Sequence, residues 1–354
     1  MEIYLVGGAI RDRLLNYPVT ERDWVVVGGT EKQLLELGYT PVGKDFPVFL
    51  HPNSKEEYAL ARLERKTGQG HKGFECDASQ SVTLEDDLLR RDLTINAIAE
   101  SSTGELIDPY GGRKDLDNCI LRHVSTAFEE DPLRILRLAR FKAKLTNFTV
   151  HESTFELMRH MVARGDLREL PPERIYAEFD KALATKTVSA FFHLLDQLGA
   201  SEELWPMITK QGVDRLSTVA AMTSEKDFRV AGLLHFNSKS DINAFSKQLK
   251  CPNRLTELSL LSSTQRKGWQ HIGTAEDSIQ WLYAIDAFRR KERFFRFNQL
   301  LALMTKIDEG TNNQSYWLDV YERATRVSAR DLAEKYKGAE LGLAIKRAQI
   351  EAIS

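Results

Sequence analysis

The chain has 354 residues, 42% of them hydrophobic and 28% charged, with 49 basic against 51 acidic side chains and a net charge of −2. That length supports two or three domains with cores of their own, and the charge balance excludes a globally basic polyanion binder, so any nucleic-acid surface must be a local concentration of Arg and Lys. Cys76, Cys119 and Cys251 stand far apart with no Cys-x-x-Cys pair, which argues against a zinc site or a disulfide scaffold and for reduced thiols, and no apolar run approaches the ~20 residues of a membrane span.

The chain opens with an apolar strand, Ile3-Tyr4-Leu5-Val6, then Gly7-Gly8, then a helix over 9–16 that carries Arg11-Asp12. Bare backbone N–H groups at such a strand-to-helix turn favour a phosphate, although a lone Gly-Gly is more often only a tight turn. Glu21-Arg22-Asp23 then leads into Trp24-Val25-Val26-Val27. Acids at i and i+2 of a strand point to one face, so Glu21 and Asp23 are candidates to hold divalent cations jointly. With a strand beginning at residue 3, no leader peptide is expected, and the protein is expected to be cytoplasmic.

Further strands are predicted over 46–50, 57–63 and 119–124, and helices over 30–37 and 84–99. The runs around residues 46–50 and 58–62 flank a polar connection, which predicts a hairpin placing Glu57 or Arg62 beside the acidic strand. Glu57 reads equally as a third carboxylate and as a charged hairpin end. Residues 65–80, with Gly68, Gly70 and Gly73 among polar neighbours, are expected to form a mobile loop. The chain to about residue 125 is thus an α+β domain. From Ser125 onward apolar residues recur at helical spacing, as in Leu133, Leu136 and Phe141, and the remainder is predicted helical, with breaks at Pro171-Pro172 and Trp205-Pro206.

Three segments carry further chemistry. In Arg90-Arg91-Asp92-Leu93-Thr94-Ile95-Asn96, adjacent guanidiniums suit a triphosphate, against the plain reading of a charged helix start. Asp108-Pro109-Tyr110-Gly111-Gly112 reads as a hinge. In Glu130-Asp131-Pro132-Leu133-Arg134, a helix puts Asp131 and Arg134 at i and i+3, so an acceptor and a donor stand side by side. Cytosine and adenine both present a donating exocyclic amine beside an accepting ring nitrogen. The pair complements them and meets uracil and guanine like with like. Asp before Pro is also a good helix start, so Asp131 alternatively only caps. Arg134, Arg137 and Arg140 form a basic row with no acids in sequence to balance it, which favours an anion- or base-binding face.

Gly7-Gly8-Ala9-Ile10-Arg11-Asp12, Glu21-x-Asp23, the Arg90–Ala97 run, Asp108–Gly112, Glu130-Asp131-x-x-Arg134 and Pro172-Glu173-Arg174-Ile175 stand in the order found in bacterial CCA-adding tRNA nucleotidyltransferases, which the chain resembles from residue 1 to about 210. The resemblance implies a polymerase-β-like nucleotidyltransferase head (1–125), a helical neck bearing the base template (126–210) and a helical body and tail that bind tRNA (211–354). It implies Mg²⁺ at Glu21 and Asp23, triphosphate contacts at Gly8 and Arg11, further contacts to ATP and CTP at Arg91, Arg137 and Arg140, and a base-reading role for Asp131 and Arg134. A monomer acting on tRNA with CTP and ATP is expected. Glu21 departs from the Asp usual in such enzymes but keeps a carboxylate.

A second departure concerns an HD phosphohydrolase motif of enterobacterial relatives. Here the similar stretch reads Gly232-Leu233-Leu234-His235-Phe236-Asn237, no adjacent His-Asp occurs in the chain, and no phosphohydrolase activity is expected. The alternatives to CCA addition are a poly(A) polymerase, which typically carries a Gly-Arg-Arg-Phe-like stretch where this chain has Gly43-Lys44-Asp45-Phe46, and a tRNA-binding protein without catalysis.

Overall fold

A computed structural model describes residues 1–42, 48–66 and 74–354. The chain forms two compact units: Met1–Ala182 with Ala190–Leu204, and Leu183–Ser189 with Trp205–Ser354.

The first unit begins with β1 (Glu2–Val6), α1 (Gly8–Leu14), β2 (Asp23–Val27), α2 (Glu31–Glu36), β3 (Thr40–Val42), β4 (Val48–Leu50), β5 (Glu57–Leu60), β6 (Leu63–Lys66), β7 (Phe74–Asp77), α3 (Leu84–Leu89), β8 (Ala99–Glu100), β9 (Leu106–Ile107), α4 (Gly112–Asp117) and β10 (Ile120–Leu121). Seven strands make one mixed sheet in the order β3-β4-β5-β2-β1-β8-β9. Among the described residues its only parallel pair is β2 with β5, which sets Asp23 against Glu57, while β1 runs antiparallel to β2 and sets Val6 against Asp23. Successive side chains alternate across a strand, so the Val25-Val26 pair serves two cores. Val25 packs with Val6, Leu84, Leu88 and Ala97 on one face, and Val26 packs with Leu34, Phe49, Tyr58 and Leu60 on the other.

The hairpin expected beside the acidic strand is present as β4–β5. Two expectations need correction. The stretch 84–99 is not one helix: α3 stops at Leu89, a 3₁₀ turn occupies Thr94–Asn96 and the chain enters β8. Asp92 accepts from the Leu93 N–H at 2.9 Å and from the Asn96 amide at 2.9 Å, and the Thr94 N–H is taken by the Arg122 carbonyl at 2.9 Å. These bonds offer the backbone an alternative to the helical ladder. Part of the loop expected over 65–80 is the antiparallel pair β6–β7. The glycines at 68, 70 and 73, and Gly43-Lys44-Asp45-Phe46, lie outside the described residues.

Beyond residue 125 the first unit continues with α5 (Leu133–Lys144), β11 (Thr149–Val150), α6 (Glu152–Arg164), α7 (Pro172–Leu183), α8 (Ser189–Gln197) and α9 (Ala200–Leu204). The short β11 pairs in parallel with β10, so this part is not purely helical. The second unit carries α10 (Lys210–Met222), α11 (Lys226–Leu233), α12 (Lys239–Leu249), α13 (Asn253–Gln270), α14 (Ala275–Ala284), α15 (Lys291–Ile307), α16 (Gln314–Thr325), α17 (Ala329–Ala333) and α18 (Gly338–Ile353). Its core gathers Trp269, Trp281, Trp317, Phe294 and Phe297. No helix among the described residues is long and apolar enough to cross a membrane.

Candidate active site

A cleft of about 720 Å³ in the first unit brings most of the predicted residues together. It is lined by Gly7, Gly8, Arg11, Glu21, Asp23, Arg91, Asp131, Arg134, Arg137 and Arg140, joined by Asp12, Arg62, Arg90, Asp92, Lys144, Arg174 and Lys181. Ten basic side chains meet five carboxylates there, in a chain whose net charge is −2, so the cleft concentrates cations where a polyanion would sit. Its volume lies within the roughly 300–1,000 Å³ of small-molecule sites.

The acidic corner is built by strand register. Because Val6 faces Asp23, the turn that follows Val6 stands next to the acid, and parallel pairing sets Glu57 beside it on the same sheet face. β2 begins at Asp23, so Glu21 lies in the segment just ahead of the strand rather than on it. Asp23 opens to solvent, yet the protein packed around it raises its carboxyl pKa; Arg91 and Arg137 pull the other way and Glu21 adds to the rise. A carboxylate that resists ionising beside another carboxylate is one that a divalent cation would stabilise. Among the described residues no group of three His, Cys, Asp or Glu side chains is arranged to hold a metal. The fit is therefore to an ion such as Mg²⁺, which takes one or two carboxylates and completes its shell with water and phosphate oxygens.

Gly7 adopts φ +72°, and a Cβ built there would lie 2.9 Å from Nη1 of Arg91. The glycine lets that guanidinium lie against the turn. Arg91 is tethered at its other end, Nη2 donating to Asp87 Oδ2 at 3.1 Å, while Arg90 reaches Asp87 Oδ1 at 2.5 Å. Burial alone would raise the Asp87 carboxyl, but the two guanidiniums overcome it and hold its pKa below the usual range. Arg11 is buried, donating to Asp12 at 2.9 Å and to Asn96 at 2.5 Å; Lys144 reaches Asp12 at 2.9 Å. The Arg11 and Arg140 guanidiniums lie 4.9 and 4.4 Å from the Phe141 ring centroid, an arrangement in which one π system serves two cations.

The basic row of α5 is not without balancing acids, as its sequence had suggested. Arg137 donates to Asp92, and Arg140 donates through Nε to Glu178 of α7 at 2.5 Å. Asp131 and Arg134 do not share a helix either: Asp131 is extended (φ −123°, ψ 102°) and α5 starts two residues later. Asp131 Oδ1 accepts the Leu133 N–H at 3.1 Å, so the capping role is real. Both remain on the cleft wall, Arg134 fixed by the carbonyls of Ala127 (2.8 Å) and Arg90 (2.7 Å).

Sequence reasoning left Asp87, Glu178 and Arg174 without a role. Arg174 and Glu178 stand four apart on α7, the spacing that puts side chains on one helical face; Glu178 meets Arg140 of α5 and Arg174 meets Asp131 just ahead of that helix. The Asp108–Gly112 segment is a brace rather than a hinge. Asp108 accepts from the N–H groups of Gly112 (2.7 Å) and Arg113 (2.9 Å), and a Cβ on Gly112 would lie 2.2 Å from the Thr94 carbonyl oxygen.

In the second unit, His235 stands where the resemblance would put the first residue of the missing motif. Its Nε2 contacts a guanidinium nitrogen of Arg266, and Arg215 pairs with Asp308 at the same place. Burial, followed by the Arg215 and Arg266 charges, lowers the His235 pKa to about 3.

Two families match the chain: "Poly A polymerase head domain" over residues 3–122 and "Probable RNA and SrmB- binding site of polymerase A" over residues 147–211. A CCA-adding enzyme of Coxiella burnetii is 42% identical over 363 residues, covering 100% of this chain and 95% of the relative. Among solved structures, a CCA-adding enzyme in apo form II matches 99% of this chain and 88% of its own with a TM-score of 0.73 at 19% identity. A CCA-adding enzyme in complex with CTP matches with a TM-score of 0.71 at 20% identity, covering 99% and 87%.

Proposed function

Because the chain belongs to the CCA-adding enzyme family, tRNA nucleotidyltransferases with a polymerase-type head, we propose that its cleft adds C, C and A in turn to the 3′ end of tRNA, using CTP and ATP and no nucleic-acid template. The observation that carries this reading is the register of β1 and β2, which sets Asp23 beside the Gly7-Gly8 turn at the acidic corner of a cation-rich cleft.

The reaction is in-line attack of the tRNA 3′-hydroxyl on the α-phosphate. A new P–O bond forms, the α–β bond breaks and pyrophosphate leaves with the electron pair. Glu21 and Asp23 would hold Mg²⁺, and Glu57, the strand partner of Asp23, is either a further carboxylate of that corner or a charged hairpin end. When bound there, magnesium supplies neutralisation of phosphate charge and a lowered pKa for the attacking hydroxyl. Gly8 and Arg11 sit where a triphosphate would rest, and Arg91, Arg137 and Arg140 neutralise its remaining charge; their ties to Asp87, Asp92 and Glu178 preorganise them at no cost during the reaction. Asp131 and Arg134 read the base, accepting from the exocyclic amine and donating to the ring nitrogen of C or A.

The division into head (1–125), neck (126–210) and body with tail (211–354) is carried into this reading. A monomer working in the cytoplasm is part of the same proposal.

Product-length analysis on tRNA lacking its 3′ end tests it. Two C residues with CTP alone, then one A once ATP is added, is the expected result. An A tail of unlimited length would favour poly(A) synthesis, the activity named by the family that matches residues 3–122.

A further inference from the structure

Asp131 is gripped from α7. Arg174 donates through Nη1 to Oδ1 at 3.2 Å and through Nη2 to Oδ2 at 2.8 Å, a two-pronged contact across 43 residues of sequence. Both side chains are about three-quarters buried, at 23% and 25% exposure, and both line the cleft. A carboxylate offers about four acceptor sites. Oδ1 takes the Leu133 N–H and Arg174, and Oδ2 takes Arg174, so among the described residues one site on Oδ2 stays open. One acceptor is what the exocyclic amine of C or A requires.

We infer that Arg174 is the positioning residue of base selection: its guanidinium fixes the plane of the Asp131 carboxylate so that the remaining acceptor on Oδ2 is held for the incoming base. This rests on the base-reading role proposed for Asp131. An Asp side chain turns about two bonds, and the single Leu133 N–H bond constrains one oxygen only. Two parallel N–H bonds from a planar fork fix the second oxygen as well. Arg174 touches neither base nor phosphate in this scheme. Its removal should therefore act on discrimination between bases rather than on the chemical step.

The test measures kcat/KM for single additions of CTP and UTP to tRNA lacking its end, for wild type, Arg174→Ala, Arg174→Lys and Asp131→Ala, with thermal unfolding of each. For Arg174→Ala the CTP preference should fall roughly ten- to a hundredfold, with the larger change in KM for CTP, and millimolar guanidinium should restore part of it. Arg174→Lys, which keeps the charge but loses the fork, should fall between the two and serves as the working variant if Arg174→Ala does not fold. Equal loss for both nucleotides without rescue would make Arg174 merely structural, and equal gain would make it an obstruction; either overturns the inference. If Asp131→Ala abolishes the preference while Arg174→Ala and Arg174→Lys retain it, the positioning role alone fails. If Asp131→Ala itself keeps the preference, the base-reading role fails and the inference goes with it.

Discussion

Arg137 of α5 and Asp92 of the turn after α3 are joined through Nε to Oδ2 at 2.8 Å and Nη2 to Oδ2 at 2.7 Å, while Asp92 Oδ1 ties the turn's own backbone and Asn96. Asp92 is almost fully enclosed, at 7% exposure. One carboxylate thus links the segment that carries the adjacent arginines to the helix that carries the basic row.

Arg137→Ala would leave that buried charge without its partner, and such a loss costs about 3–5 kcal/mol. Urea unfolding should show the midpoint falling with an unchanged slope, and Arg137→Lys should lose less. The pH dependence has a definite sign. Burial alone would raise the Asp92 carboxyl, but Arg137, Asn96 and Arg134 outweigh it and hold its pKa far below the ordinary value. Its contribution is therefore complete above about pH 4, the unfolded value, and is lost as pH falls further. Arg137→Ala should lose that acid dependence, so stability curves of the two proteins converge below pH 4.

Asp23→Asn keeps the shape of the acidic corner and removes a charge. Incorporation should drop by about a thousandfold, on the order of 4 kcal/mol of transition-state stabilisation, while tRNA binding in a filter assay stays within a few-fold. Glu57→Gln decides between the two readings of that residue. A comparable drop, partly recovered at raised Mg²⁺, makes it a metal ligand; a change of less than about threefold makes it a hairpin end with ordinary surface energetics.

Gly112→Ala sets a Cβ 2.2 Å from a backbone oxygen, which cannot yield as a flexible side chain would. Overpacking of this kind costs about 1–3 kcal/mol or more. Gly7→Ala meets the end of the Arg91 side chain at 2.9 Å, with the Asn96 carbonyl oxygen at an ordinary 3.5 Å, but also needs φ +72°. It should cost less stability and more activity, because the displaced group is a phosphate-binding candidate. Thermal unfolding and CTP incorporation measured together separate the two cases, and equal ratios of the two losses would refute this assignment.

The strands were legible as short β-rich runs, and the hairpin because polar residues separate two of them. The boundary at Leu89 was not, since the groups that divert the chain include the Arg122 carbonyl, far along the sequence. Likewise the i, i+3, i+6 spacing of Arg134, Arg137 and Arg140 was plain, but the acids that face the last two lie 45 and 38 residues away. A basic row looks unbalanced in sequence whenever its counter-charges come from other elements. The same distance hid Arg174, which stood inside a recognisable motif without a visible purpose.

His235 provides an acid-sensitive point in the second unit. Burial comes first among the causes that keep it neutral, then the positive charges of Arg215 and Arg266, with Asp308 opposing them, and its pKa falls to about 3 from an ordinary value of 6.5. Protonation is thus easier in the unfolded chain, so the stabilisation is complete above pH 6.5 and is lost as pH falls from there toward 3. At pH 5 the loss for one such group is about 2 kcal/mol. His235→Gln, which keeps a hydrogen-bonding side chain beside Arg266 but does not titrate, should show a flatter decline of unfolding midpoint between pH 7 and pH 5 than wild type. Parallel declines in the two proteins would mean that His235 takes up its proton alike in the folded and unfolded chain, so that burial and the two arginines do not hold it neutral.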